Sequence, residues 1–174
     1  YGIINSIAFT FVMIILGLTQ GMQPIIGYNY GAKLQHRVLS TLKKGMIAGF
    51  VITTIGFLVA ELCPRLIASA FTNDEEMINL SITGFRLFML AFPIVGMQIV
   101  ASNFFQAIGK AKIAIFLSLT RQLLFLIPAL YLIPLILELN GVWLSTAVAD
   151  FLSAFVSLWV LVVAIKKMKK EISL

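Results

Sequence analysis

The sequence predicts an all-α fold, a polytopic bundle of five transmembrane helices, from its composition, the length of its apolar runs and the placement of its charges. Of the 174 residues, 60% are hydrophobic and only 11% are charged, whereas a soluble domain carries roughly 25% charged residues. The apolar runs reach the ~20 residues that a helix needs to cross a bilayer. Transmembrane strands would instead alternate polar and apolar residues, so helices are expected to satisfy the backbone in lipid.

Short polar connections separate the apolar runs. In chain order the runs are Ile3–Ile26, Gly45–Leu62, Leu80–Phe105, Ile113–Leu137 and Val142–Ile165. No change of composition divides them, so residues 1–174 are expected to form one transmembrane domain. No basic segment or cleavage site precedes the first run, which therefore does not resemble a signal peptide. We expect an upstream part of the protein to precede Tyr1.

Local signals predict where the helices begin, bend and pack. The segment Thr72–Glu75 matches a capping box before the third run. Proline removes a helical hydrogen bond, so Pro93 is expected to kink the third span, and Pro128 and Pro134 the fourth. Glycines spaced four residues apart predict close helix packing. These pairs are Gly17 with Gly21, Gly27 with Gly31, and Gly45 with Gly49.

Lysine and arginine residues concentrate in alternate connections. The connection from Asn29 to Lys44 carries four, the turn around Gly109 carries two and the segment after Ile165 carries four, which makes ten. The second connection carries Arg65 alone and the fourth carries none. The positive-inside rule places the ten in the cytoplasm, so we expect a multi-pass protein of the plasma (inner) membrane with a cytoplasmic C-terminus. The positions of the basic residues therefore explain the net charge of +6 as a signal of membrane topology, and nucleic-acid binding is not needed to account for it.

Ionisable residues within the runs are informative, because each costs at least ~2.5–3.5 kcal/mol at mid-bilayer. Glu61 and Arg86 lie at roughly equal depth if each residue rises about 1.5 Å. By the same estimate an arginine side chain spans the difference in depth between Arg121 and Asp150. We therefore predict two ion pairs, Glu61–Arg86 and Arg121–Asp150. Each is either a structural tie between helices or part of a substrate or ion pathway.

Uncharged polar residues also recur at helical spacing. Gln98, Ser102 and Gln106 share one face of the third span, and Gln20 and Gln23 precede the proline of the first span. The stripe on the fifth span consists of Thr146, Asp150, Ser153 and Ser157. Such faces either line a polar cavity or join helices through hydrogen bonds. The candidates for a substrate or ion pathway are Gln20, Gln23, Gln98, Ser102, Arg121 and Asp150, and Glu61 and Arg86 are candidates for a structural ion pair.

The sequence contains none of the enzyme motifs considered. It has no Walker-type glycine-rich loop, no GxSxG elbow and no HExxH. His36 stands in a basic loop without a second metal ligand, and the single Cys63 excludes a disulfide framework. We expect no enzyme activity, no metal site and no cofactor other than a coupling ion.

Two loop motifs carry a family resemblance. They are Gln20-Gly-Met-Gln-Pro-Ile-Ile-Gly-Tyr-Asn-Tyr-Gly-Ala32 and Asn103-Phe-Phe-Gln-Ala-Ile-Gly-Lys-Ala-Lys112, followed by Leu119-Thr-Arg-Gln122 and Gly141-Val-Trp-Leu. On these the chain resembles the multidrug and toxic compound extrusion (MATE) family over essentially its whole length. The resemblance implies two helical lobes around a central cavity. This chain resembles the last five helices of the second lobe, so the N-terminal lobe is expected as its partner.

The resemblance also implies a function. It is the export of organic cations or amphipathic drugs across the lipid membrane, in exchange for Na⁺ or H⁺. In one branch of the family, an acidic residue on the helix that matches the third span helps to bind the coupling cation. When the sequences are aligned on Gln98, this chain has Val95 at the position of that acid. Coupling carboxylates are therefore expected outside this chain. Two alternatives remain: a lipid-linked saccharide flippase of the same superfamily, favoured by a strongly basic cavity, and a non-transporting scaffold, favoured by charges that face only one another.

Overall fold

The computed structural model describes the backbone of residues 1–172 and the side chains of residues 1–169. Within this part of the chain, five segments are long and apolar enough to cross a membrane, which confirms the predicted helical fold class. The helices are α1 (Gly2–Gly31), α2 (Gln35–Leu62), α3 (Pro64–Ser69), α4 (Glu75–Phe88), α5 (Phe92–Ala107), α6 (Ala111–Leu119), α7 (Ile127–Leu132) and α8 (Pro134–Ile172). Helices α4 and α5 form the third span, and α6 and α7 the fourth.

The helices extend beyond the apolar runs that predict them. Helix α2 begins at Gln35, so most of the predicted first connection is helical. Arginine and lysine have high helix propensity, and Arg37, Lys43 and Lys44 belong to the helix although they precede the apolar run. Hydropathy therefore marks the membrane-embedded part of each helix and not its ends.

Asp74 caps α4, and the capping box predicted for Thr72 and Glu75 is wrong. The Oδ1 atom of Asp74 accepts hydrogen bonds from the backbone N–H groups of Glu76 at 2.9 Å and Met77 at 3.5 Å. Glu75 instead accepts from Arg65 Nη2 at 2.9 Å. A carboxylate accepts more strongly than a hydroxyl, which explains why Asp74 and not Thr72 takes the cap.

The helices are interrupted next to the predicted prolines. A 3-10 turn, Met89–Ala91, separates α4 from α5, and Pro93 stands in the first turn of α5. A π-helical segment, Thr120–Leu126, separates α6 from α7, and Pro128 stands in the first turn of α7. Each proline thus occupies a helix start, where its missing N–H removes no helical hydrogen bond.

The turn between the fourth and fifth spans uses an unusual backbone conformation. Glu138 has a φ of 48°, which interrupts the helical geometry early in α8. Gly141 then packs so closely that a β-carbon there would lie 2.8 Å from the Ile133 carbonyl oxygen. The glycine therefore permits the fifth span to return directly beside the end of the fourth.

Helix α5 is central to the bundle and packs against α1, α2, α6 and α8. Its contact with α2 brings the two backbones together. A β-carbon at Gly49 would lie 3.0 Å from the Gly96 carbonyl oxygen, and the Thr53 hydroxyl donates to the Pro93 carbonyl at 2.8 Å. The packing predicted for Gly49 is therefore confirmed. Gly27 and Gly45 also pack closely, whereas for contacts within this chain the prediction is wrong at Gly17, Gly21 and Gly31, which face open space.

Candidate functional site

A polar cavity of about 320 Å³ lies between the first, third, fourth and fifth spans. It is the place where side chains of four spans meet at the level of the π-helical segment. Its lining residues are Leu16, Val95, Gln98, Ile99, Ser102, Asn103, Leu117, Ser118, Arg121, Gln122 and Ser157. Because the walls combine apolar side chains with hydroxyl, amide and guanidinium groups, the cavity suits an amphipathic guest.

An ion pair stands in the cavity wall. Arg121 Nε donates to Asp150 Oδ1 at 2.6 Å, so the structure brings together the residues of this predicted pair. The carboxylate of Asp150 is buried, with 6% of its side chain exposed, whereas the side chain of Arg121, which lines the cavity, is 38% exposed. The other guanidinium N–H groups of Arg121 make no hydrogen bond to described residues. Asp150 therefore depends on Arg121, while Arg121 keeps donors for a molecule in the cavity.

The position of Arg121 depends on the π-helical segment. It is the second residue of Thr120–Leu126, where the backbone is wider than in an α-helix. Single π-helical turns are frequent at functional sites. At the start of this segment the Thr120 hydroxyl donates to the Phe116 carbonyl at 2.7 Å, which supplies a side-chain donor to the turn below it.

Two residues that line the same cavity each carry a buried oxygen without a partner among the described residues. These atoms are the side-chain oxygen of Gln98 and the hydroxyl of Ser157. Buried polar atoms nearly always have a hydrogen-bond partner. Because both residues line one cavity together with Arg121, this cavity is a space from which water or a polar ligand can supply the missing partners.

A second cavity, of about 480 Å³, continues the first between α5 and α6. The two share Ser102, Asn103 and Ser118. The second cavity extends to Gln106 and Ala111, beside the turn that joins the two helices. Polar groups thus extend from Arg121 to the end of the bundle that carries Lys110 and Lys112.

The structure divides the predicted pathway residues into two groups. Gln98, Ser102 and Arg121 line the cavity, and Asp150 contacts it through Arg121. Gln20 is exposed on α1. Gln23 lies in a narrow crevice between α1 and α5 that Asn103 also lines. The roles of all these residues in transport stay predictions.

Asn103, Ser118, Gln122 and Ser157 also line the cavity and were not among the predicted site residues. Ser118, Arg121 and Gln122 have the i, i+3, i+4 spacing of one helix face, a signal available in the sequence. Ser157 belongs to the polar stripe of the fifth span. Two buried hydroxyls of that stripe differ in their hydrogen bonding. Ser153 donates to the Asp150 carbonyl at 3.1 Å, whereas Ser157 has no described partner.

The second predicted ion pair lies away from the cavity. Arg86 Nε stands 3.6 Å from Glu61 Oε1, with 60% and 38% of the two side chains exposed. The structure therefore brings together these residues also. An exposed pair of this kind contributes little to stability, and neither residue lines the polar cavities.

Comparison with known proteins gives a family and several relatives. The family model MatE matches residues 1–132. The multidrug export protein MepA of Staphylococcus haemolyticus is 24% identical over 148 residues, which cover 85% of this chain and 32% of that protein. The MepA of Staphylococcus aureus strain MSSA476 is 23% identical over 146 residues, with 84% and 32% covered. The chain thus spans about a third of the length of these curated relatives.

Solved structures share the fold. The MATE multidrug transporter DinF-BH superposes with a TM-score of 0.85 at 36% identity, covering 92% of this chain and 36% of that one. An inward-facing MATE family multidrug resistance transporter superposes with a TM-score of 0.88 at 20% identity, covering 96% and 39%.

Proposed function

This chain belongs to the MatE family, and we propose that it forms most of one lobe of a secondary active multidrug exporter. In this proposal the complete transporter exchanges organic cations or amphipathic drugs for Na⁺ or H⁺. The observation that carries the proposal is the polar cavity. Its wall holds the Arg121–Asp150 pair and is lined by Gln98 and Ser157, whose oxygens lack a partner in the described part of the chain. A cavity of this kind within a transmembrane bundle is typical of secondary transporters.

The cavity's charges fit a drug contact better than a site for the coupling cation. Arg121 and Asp150 neutralise one another, so the pair offers no unpaired carboxylate to hold a bare coupling cation. The acceptors of Gln98 and Ser157 are suited to N–H groups of a drug, and apolar side chains such as Leu16 to its hydrophobic part. Val95, where one branch of the family has an acid, lines the cavity as an aliphatic residue. We therefore place the coupling carboxylates outside this chain.

The two alternatives have less support. A flippase for a pyrophosphate-linked saccharide needs an excess of positive charge, whereas Arg121, the basic residue that lines the polar cavity within the described part of the chain, is paired with Asp150. A scaffold needs no polar cavity, whereas one is lined here by Arg121 and by Gln98 and Ser157, whose side-chain oxygens have no partner among the described residues.

We also propose a partner lobe and an orientation. Alternating access requires two bodies that move around a shared site, and this chain spans about a third of its relatives, so transport is expected only with a further lobe. The ten-to-one distribution of basic residues supports an orientation with the end of α8 in the cytoplasm. A reporter active only in the cytoplasm should work when fused after Leu174, and a silent but expressed fusion would contradict the orientation.

The functional proposal is tested with the complete transporter in proteoliposomes, loaded with a fluorescent organic cation. Efflux should follow an imposed Na⁺ or H⁺ gradient and should fall at least tenfold in Gln98→Met. The matched variant is Gln20→Met, which changes an exposed glutamine that does not line the cavity. Efflux independent of both gradients, or equal losses in the two variants, would contradict the proposal.

A further inference from the structure

A second, apolar groove lies between α2 and the end of α8, separate from the polar cavity. Its volume is about 370 Å³. It is lined by Leu39, Leu42, Lys43 and Met46 of α2 and by Leu158, Leu161, Val162, Ile165 and Lys169 of α8. We refer to these residues as the lysine-flanked groove.

Each wall of the groove is one face of one helix. The α2 residues follow the spacing i, i+3, i+4, i+7, and the α8 residues follow i, i+3, i+4, i+7, i+11. At about 1.5 Å per residue the α8 wall is about 16 Å long. The groove therefore runs along both helices, and its largely apolar lining is long enough for much of an acyl chain.

The two lysines give the groove its charge. Neither Lys43 nor Lys169 has an ion-pair partner among the side chains that the structure describes, and both are exposed. Over the same described residues, no acidic side chain lines the groove. Lys44, Lys166 and Lys167 lie nearby in sequence and are also exposed, so this end of the bundle is strongly basic.

We propose that the lysine-flanked groove binds an anionic phospholipid. One acyl chain lies between α2 and α8, and the headgroup phosphate binds between Lys43 and Lys169. Basic pockets between transmembrane helices on the cytoplasmic side bind anionic headgroups, and the groove lies at the end of the bundle that carries the ten basic residues. This site is independent of the proposed transport function.

The charge of the groove selects this occupant over others. A cationic drug is repelled by the two lysines and meets no acidic side chain on the described walls. A zwitterionic lipid presents the same acyl chain and a phosphate, but its own ammonium or choline group opposes the lysines. A protein segment covering the groove is the remaining occupant, and the experiment below distinguishes it.

The test compares phosphatidylglycerol with phosphatidylcholine of the same acyl chains, binding to the purified complete transporter by native mass spectrometry. A lysine near an anionic headgroup contributes about fivefold in affinity, so Lys43→Gln with Lys169→Gln should weaken phosphatidylglycerol binding about 25-fold. The matched double variant, Lys44→Gln with Lys167→Gln, removes two lysines that do not line the groove and should change binding less than fivefold. Equal losses in the two double variants, or equal affinity of both lipids for the wild type, would overturn the proposal.

A second pair of variants tests the groove itself. Val162→Phe fills it, whereas Val163→Phe places the same ring on the neighbouring exposed position outside it. Phosphatidylglycerol binding should fall in the first and stay in the second. If Val162→Phe lowers the Tm but leaves lipid binding unchanged, a protein segment and not a lipid occupies the groove, and the proposal is wrong.

Discussion

The third span has two sides that are built in opposite ways. On the α2 side, Gly96 lies against the Gly49 backbone, and Thr53 bonds to the Pro93 carbonyl. On the side facing the fourth and fifth spans, α5 presents Gln98 and Ser102 to a polar cavity. Helix α5 thus packs closely against α2 on one side, and on its other side it lines a cavity with polar residues, among them Gln98, whose oxygen has no described partner.

From this difference we form an expectation about which contact rearranges during transport. Backbone-to-backbone packing of small residues leaves no space for an alternative arrangement. A cavity with unsatisfied acceptors and a half-exposed arginine has several arrangements close in energy, because water or a ligand can replace one partner by another. We therefore expect the second span to move together with the third as one body, and the fourth and fifth spans to move relative to them.

The largest expected effect is at the ion pair of the cavity side. Arg121→Gln leaves the buried Asp150 carboxylate unpaired, for which a loss of about 3–5 kcal/mol is expected. Asp150→Asn should cost less, because Arg121 is 38% exposed and its charge can remain hydrated in the cavity. A double-mutant cycle measured by thermal unfolding of the detergent-purified transporter checks both expectations.

Replacing both residues should cost less than the sum of the two single losses. Strictly additive losses would show that the two side chains do not stabilise one another. If the double variant recovers stability but not efflux, the pair also belongs to the transport path.

The existence and order of the five spans, and both ion pairs, follow from the sequence because hydropathy and charge report directly on the membrane environment. The helix ends do not, as α2 shows by continuing through Arg37, Lys43 and Lys44. The cavity does not either. A polar stripe serves equally well to line a cavity or to join helices, and only tertiary packing leaves Ser157 unpartnered while Ser153 is bonded. The π-helical segment that carries Arg121 has no sequence signature.

The next largest effect is expected on the close-packed side. Gly96→Ala places a β-carbon against the Gly49 carbonyl and should destabilise by about 1–3 kcal/mol, the usual range for overpacking. Gly21→Ala is the matched control, because its β-carbon faces open space. That variant should be neutral or stabilising by up to about 1 kcal/mol. Equal changes of Tm in Gly96→Ala and Gly21→Ala would contradict the conclusion that the α2 side of the third span is close-packed.

Substitution of Ser157 is expected to change stability less than Gly96→Ala does, but to lower drug efflux. Ser157→Ala removes a buried hydroxyl that has no described partner, so stability should change by less than about 1 kcal/mol. Thr54→Val removes another unpartnered hydroxyl that does not line the cavity. Drug efflux should fall only in Ser157→Ala. Unchanged efflux in both would show that the cavity is not on the drug's path.

The smallest effect is expected at Glu61 and Arg86, the ion pair on the α2 side of the third span. Its atoms are 3.6 Å apart, and both side chains are more than a third exposed, so each charge keeps alternative partners when the other is removed. Glu61→Gln and Arg86→Gln should each shift stability by less than about 1 kcal/mol, with a coupling energy of about 0.5 kcal/mol or less. The same double-mutant cycle used for Arg121 and Asp150 measures it, and efflux should be unchanged. A coupling energy as large as that of the cavity pair would mean that Glu61 and Arg86 are also buried in the complete transporter, because another part of it covers them. Charge burial would then no longer distinguish the two sides of the third span, and the assignment of movement would rest only on the Gly49–Gly96 contact and on the polar cavity.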